Sequence, residues 1–143
     1  MIAADPTSSS TGAVMEQSGF AARPDYRVDI LARRNRVTVA VDGEVLADSG
    51  HTLLVDEQDH GLVFYFPPDD VRLERFVADE RTSHCPYKGT ASYRRFERDG
   101  VVVLSWSYED PFPEVARLAG YCAFFQDAVD LRVGVADPAV SGR

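Results

Sequence analysis

The stretch Arg36-Val37-Thr38-Val39-Ala40-Val41-Asp42-Gly43-Glu44-Val45-Leu46-Ala47 decides the fold class. Val37, Val39 and Val41 recur at a period of two, which puts them on one face of a strand. Asp42-Gly43 follows at once. Both residues tolerate the positive φ of a type I′ turn, so the run predicts an antiparallel hairpin returning through Glu44–Ala47. A second Asp-Gly, Asp99-Gly100, joins Ala91–Arg98 to Val101–Tyr108 and predicts another. On its return strand Val102, Leu104, Trp106 and Tyr108 share one face. Val101, Val103, Ser105 and Ser107 share the other.

Further strands are expected at Tyr26–Leu31, Thr52–Val55, Leu62–Phe66 and Val129–Val135, with Pro67-Pro68 stopping the third of these. Helix is scarce. Asp69–Arg75 predicts one or two turns capped by Asp69 or Asp70, and Pro113–Ala119 another with Val115 and Leu118 facing the core. Gly120–Phe125 reads equally as helix or strand. Recurring strands with tight turns imply a mainly β fold, an antiparallel sandwich or a partly open barrel with one or two short helices. It forms a single domain over residues 23–135. Residues 1–22, rich in Ser, Thr, Ala and Gly, are expected to be a disordered leader, and 136–143 a loose tail.

The 143 residues suffice to bury a core without staples. The net charge is −8. That balance argues against nucleic acid and anionic membrane surfaces as partners, since both draw on clustered Lys and Arg. No apolar run approaches the roughly 20 residues of a spanning helix. No basic stretch leads into an apolar one at the start, so no secretory signal is expected. The two cysteines, Cys85 and Cys122, are then expected as free thiols in a reducing cytoplasm.

Chemistry concentrates in Thr82-Ser83-His84-Cys85-Pro86-Tyr87-Lys88-Gly89, whose Pro and Gly predict a shaped loop. Cys85 reads as a nucleophile beside His84 and Lys88, or as a small buried hydrophobe. Lys88 reads as an anion receptor, base or amine nucleophile, or as a solvated surface lysine. The neighbouring Gly89 suggests close backbone approach by a ligand. Tyr65, Tyr87, Tyr93, Trp106 and Tyr108 line a pocket or pack between sheets. Arg72 could reach an anionic group bidentately, or pair structurally with Asp48 or Glu57. There is no CxxC pair and no His pair at helical spacing, so no structural zinc is expected, and no motif calls for a cofactor.

Several segments carry a resemblance: Ala47-Asp48-Ser49, Tyr65–Arg72 (YFPPDDVR), Cys85–Tyr93 (CPYKGTASY), Trp106–Pro111 (WSYEDP) and Gly120–Phe125 (GYCAFF). Their order and spacing resemble the domain-of-unknown-function family numbered 427, over roughly Arg36 to Val133. The resemblance implies a small, mainly β domain found in bacteria and some fungi, with no established activity. The family also carries a nucleotidyltransferase label. Such enzymes need paired carboxylates on one strand face to hold metal ions against a triphosphate. Here Asp69-Asp70 are adjacent and would point apart, Glu97 and Asp99 run into a turn, and Glu57 and Asp59 fall in an expected loop. No Gly-rich phosphate loop is present.

The reading that follows is a small-molecule site where the Cys85–Gly89 loop meets the Trp106–Tyr108 strand. Lys88 and Arg72 would receive an anionic group, with Tyr65, Trp106, Tyr108 and His84 around it. As an enzyme it would use Cys85 or Lys88 as nucleophile or base and Tyr87 as acid. The alternative is a non-catalytic interaction module presenting an edge strand or a flat aromatic patch.

Overall fold

The computed structural model describes residues 16–135. Ten strands run in chain order: β1 (Val28–Ala32), β2 (Val37–Val41), β3 (Glu44–Ser49), β4 (Leu53–Glu57), β5 (Val63–Tyr65), β6 (Val77–Cys85), β7 (Gly89–Arg98), β8 (Val101–Ser107), β9 (Cys122–Phe124) and β10 (Asp130–Val133). All pair antiparallel, in a four-stranded sheet β9-β8-β7-β6 and two three-stranded sheets, β10-β2-β3 and β1-β4-β5. No barrel closes. Both Asp-Gly hairpins form as expected. Asp42 and Gly43 sit at φ 48° and 82°, and Asp99 and Gly100 at 50° and 82°, the doubly positive backbone of a type I′ turn.

Phe66 and Cys122 exchange both backbone hydrogen bonds at 2.8 Å. That bridge ties β5 to β9, so the β1-β4-β5 sheet continues into the four-stranded one. Alternation on the shared strands then feeds two cores. Cys122 and Phe124 face one and Ala123 the other; Phe66 and Tyr65 divide in the same way. The first core packs Val37, Val39, Leu46, Phe96, Val103 and Phe124, each no more than 1% exposed. The second gathers Leu53, Val55, Tyr65, Ala91, Tyr108 and Leu118.

Three expectations need correction. Asp69–Arg75 carries two short turns within the expected count, the 3₁₀ turns Pro68–Asp70 and Leu73–Arg75, but neither Asp69 nor Asp70 caps them, and no side chain does. Pro67 stands at the first cap position, and Val71 between the turns is extended and bridges Ala47. Thr82–Cys85 belongs to β6, so the expected loop shrinks to Pro86–Lys88, the turn of a third hairpin. Strand β6 pairs only with β7 and is exposed along most of its length, so it carries no apolar alternation to announce it. Gly120–Phe125 resolves as strand at Cys122–Phe124. The Pro113–Leu118 turn buries Val115 and Leu118 as anticipated. The expected leader lies outside the described residues as far as position 15, whereas Gly19–Ala21 forms a 3₁₀ turn against the domain. The expected tail, 136–143, lies outside the described residues. No described helix is long and apolar enough to cross a membrane.

Candidate functional site

The second core does not close. A cavity of about 510 Å³ opens between the ends of β4 and β5, the Pro86–Lys88 turn and the inward face of β7 and β8. Its geometry starts from period two on β4. Leu53 and Val55 point inward, and two residues on so does Glu57, which is 8% exposed. Opposite it, the hairpin turn delivers Lys88, the only lysine of the chain, at 7% exposure. The Lys88 ammonium donates to Glu57 Oε1. Tyr26 Oη donates to Glu57 Oε2 at 2.5 Å, and His60 Nε2 lies 3.7 Å from the same oxygen.

Electrostatics follow from this packing. Burial by itself would raise the Glu57 carboxyl, but the hydrogen bonds from Lys88 and Tyr26, with the nearby charges of Lys88 and His60, together outweigh it and hold the group below the usual carboxylate range. Burial, and then donation to Glu57, push the Tyr26 phenol well above the ordinary tyrosine value. Burial does the same to Tyr65 and Tyr108. Trp106 Nε1 donates to Tyr65 Oη at 3.1 Å, with the two rings edge to face. Tyr93 Oη and Ser83 Oγ share a hydrogen bond at 2.8 Å.

Most of the expected site residues meet at this cavity. Tyr65, Trp106 and Tyr108 form its aromatic wall, and Cys85 and Tyr87 line it half-buried. Tyr87 stacks on Tyr26, with ring centroids 3.7 Å apart and planes 5° from parallel. His84 reaches only the rim. Its Nε2 lies 2.9 Å from Glu16 Oε2 and its Nδ1 3.3 Å from Thr90 Oγ1, and neighbours on a strand point to opposite faces, so it is not paired with Cys85. Lys88 is not a solvated surface lysine.

Arg72 is corrected outright. It is exposed, does not line the cavity, and anchors through its backbone N–H to Leu46 O at 2.8 Å. Neither of its expected acidic partners is free for it, because Asp48 holds Arg36 at 2.8 and 2.6 Å while Glu57 holds Lys88. Gly89 is also reread. It sits at φ 113°, and a Cβ there would meet Asp110 O at 3.5 Å. The close approach is by the chain's own Asp110–Phe112 segment, whose Phe112 N–H donates to Lys88 O at 3.1 Å.

Residues that sequence reasoning passed over complete the wall. Glu57 lies one alternation step beyond the expected Thr52–Val55 strand, and the period of two carried to it points it inward. Tyr26, His60 and Phe125 carried no signal. The acids at the spacing of a metal-triphosphate pair do not converge: Glu57 is in the cavity wall, Asp59 and Asp99 sit in turns at φ 64° and 50°, and Glu97 pairs with Arg95 at 2.9 Å. Among the described residues no three His, Cys, Asp or Glu side chains cluster around a common point.

The family model described as Domain of unknown function (DUF427) matches residues 29–134. The chain belongs to that family. Comparison with curated proteins finds no match. Glu57, Lys88, Tyr65, Trp106 and Tyr108 lie inside the matched DUF427 residues. Tyr26 and Phe20 lie ahead of them. Phe20 meets Tyr87 edge to face at 5.1 Å, and Gly19 N–H donates to Pro86 O at 2.7 Å. One side of the cavity in this DUF427 protein is therefore built by the segment preceding the matched region.

Proposed function

We propose that this DUF427 domain binds a small, planar, largely apolar molecule in the cavity beside Glu57 and Lys88. The observation that carries the reading is the cavity itself. Its volume of about 510 Å³ falls within the roughly 300–1,000 Å³ of small-molecule sites, and it combines aromatic walls with a few convergent polar groups. The anionic ligand first expected loses its support: Arg72 is elsewhere, and Glu57 already neutralises Lys88. A partner-docking module would display these residues on a flat face, whereas Tyr65, Lys88 and Tyr108 are buried in a concave one. The enzymatic version uses Cys85 or Lys88 as nucleophile or base and Tyr87 as acid. It requires turnover, and ligand binding without turnover removes it. The two free cysteines fit a reducing compartment.

Trp106 is the sole tryptophan and lines the cavity, so its fluorescence reports occupancy directly. Titration with planar bicyclic fragments should give a saturable change. Cys85→Phe, which fills the cavity from its wall, should weaken binding at least tenfold while the fold is retained. Fragment binding that ignores Cys85→Phe, or no saturable response from any planar fragment, would sink the proposal.

A further inference from the structure

The cavity wall holds more hydrogen-bond donors than acceptors. Both oxygens of its carboxylate are taken, Glu57 Oε1 by Lys88 and Oε2 by Tyr26. Tyr65 Oη already receives the Trp106 N–H. A phenol both donates and accepts, so the Tyr65 O–H remains to be given, and among the described residues the one side-chain hydrogen bond of its oxygen is the bond it accepts from Trp106. Tyr108 goes further. It is 6% exposed, lines the cavity, and its hydroxyl has no hydrogen-bond partner among the described residues. The fully enclosed side-chain polar atoms without a partner among the described residues are Thr52 Oγ1 and Arg95 Nε, so the Tyr108 hydroxyl is open to the cavity, where a ligand atom can take its hydrogen bond. Both phenols keep their protons, since burial pushes each well above the ordinary tyrosine value, with Cys85, Tyr93 and Glu57 adding to both and Tyr65 adding to Tyr108.

We propose that Tyr65 and Tyr108 act as a pair of phenolic donors that receive the carbonyl oxygen of a planar, uncharged ligand, of the aryl ketone, lactam or quinone class. The inference rests on the reading of the cavity as a ligand site and narrows it. A carboxylate would also offer acceptor oxygens. However, the charges of the wall cancel within the Glu57–Lys88 pair, so no unpaired cation offsets the desolvation of an anion. A ketone brings its acceptor without that penalty.

The test compares 1-indanone, indane and indane-1-carboxylate, titrated against the full chain and against Tyr65→Phe/Tyr108→Phe. Two neutral hydrogen bonds of about 0.5–1.5 kcal/mol each correspond to a loss of roughly five- to 150-fold in the preference for ketone over hydrocarbon. Indane should bind both proteins alike, and the carbonyl carbon resonance of bound indanone should shift in the parent and not in the double variant. Mere structural damage would lower indane and ketone binding together. Tyr108→Phe alone guards against unfolding, since it removes a hydroxyl that bonds to nothing described and should leave the melting temperature unchanged or higher. If the ketone preference survives in the double variant, the donor pair is wrong while the cavity reading stands. If the carboxylate binds more tightly than the ketone, the uncharged class is wrong. If none of the three binds, the cavity reading fails and takes this inference with it.

Discussion

The two cores of this domain share strands and differ in finish. On one side of the central sheet, Val37, Val39, Leu46, Phe96, Val103 and Phe124 close against each other with almost no exposure. On the other side, Tyr93 of β7 and Trp106 of β8 face an open cavity with an ion pair in its wall. The closed side contains hydrocarbon from two sheets meeting face to face. The open side places Tyr65, Tyr93, Trp106 and Tyr108 where their hydroxyls and N–H need partners, and leaves room between them. Stability and recognition are thus divided between the two faces of one sheet.

The largest expected effect breaks the closed side. Phe124→Ala removes a ring packed against Phe66 and Phe76, and should cost about 3–5 kcal/mol in chemical denaturation. A loss under about 1.5 kcal/mol would mean that this core repacks freely and is not the stabilising half.

Next comes the ion pair on the open side. Glu57→Gln leaves Lys88 buried without its counter-charge and should cost about 3 kcal/mol. Replacing both partners, as Glu57→Leu with Lys88→Met, should recover most of that loss. The pair also carries a pH signature. The folded Glu57 carboxyl lies below its unfolded value, so its contribution is fully present above the ordinary carboxylate range and disappears as pH falls through the depressed folded value. Glu57→Gln should therefore flatten the acid limb of the stability curve, and an acid limb unchanged by the substitution would contradict the pairing.

The smallest effect on the fold is the sharpest on the comparison. Cys122 is fully buried in the closed core, and burial pushes its thiol up. Cys85 lies half-buried in the cavity wall. Site-resolved alkylation of the native protein should modify Cys85 while Cys122 waits for unfolding, and a cavity ligand should slow only Cys85. Equal rates at the two thiols would erase the distinction between an open and a closed side.

Much of this arrangement could be read before any coordinates. Both Asp-Gly hairpins, the burial of Val115 and Leu118, and the shared face of Trp106 and Tyr108 stand in local spacing. Strand β6 did not, because an exposed edge strand needs no apolar alternation. Glu57 lies one alternation step past the end of its expected strand. Arg72 was misplaced for a different reason: its neighbours in sequence, Pro67–Val71, lead away from the cavity along β3, and nothing local records that path.

The sequence alone determined the antiparallel β class, since turn chemistry and period two act over a few residues and hold wherever the hairpin ends up. Tertiary structure alone decided which face would close and which would open, and it brought Glu57 to Lys88 and to Tyr26, each 31 residues away. Pairing at that separation depends on how the sheets stack. The stacking is set by volumes and burial summed over both cores, which no single segment encodes.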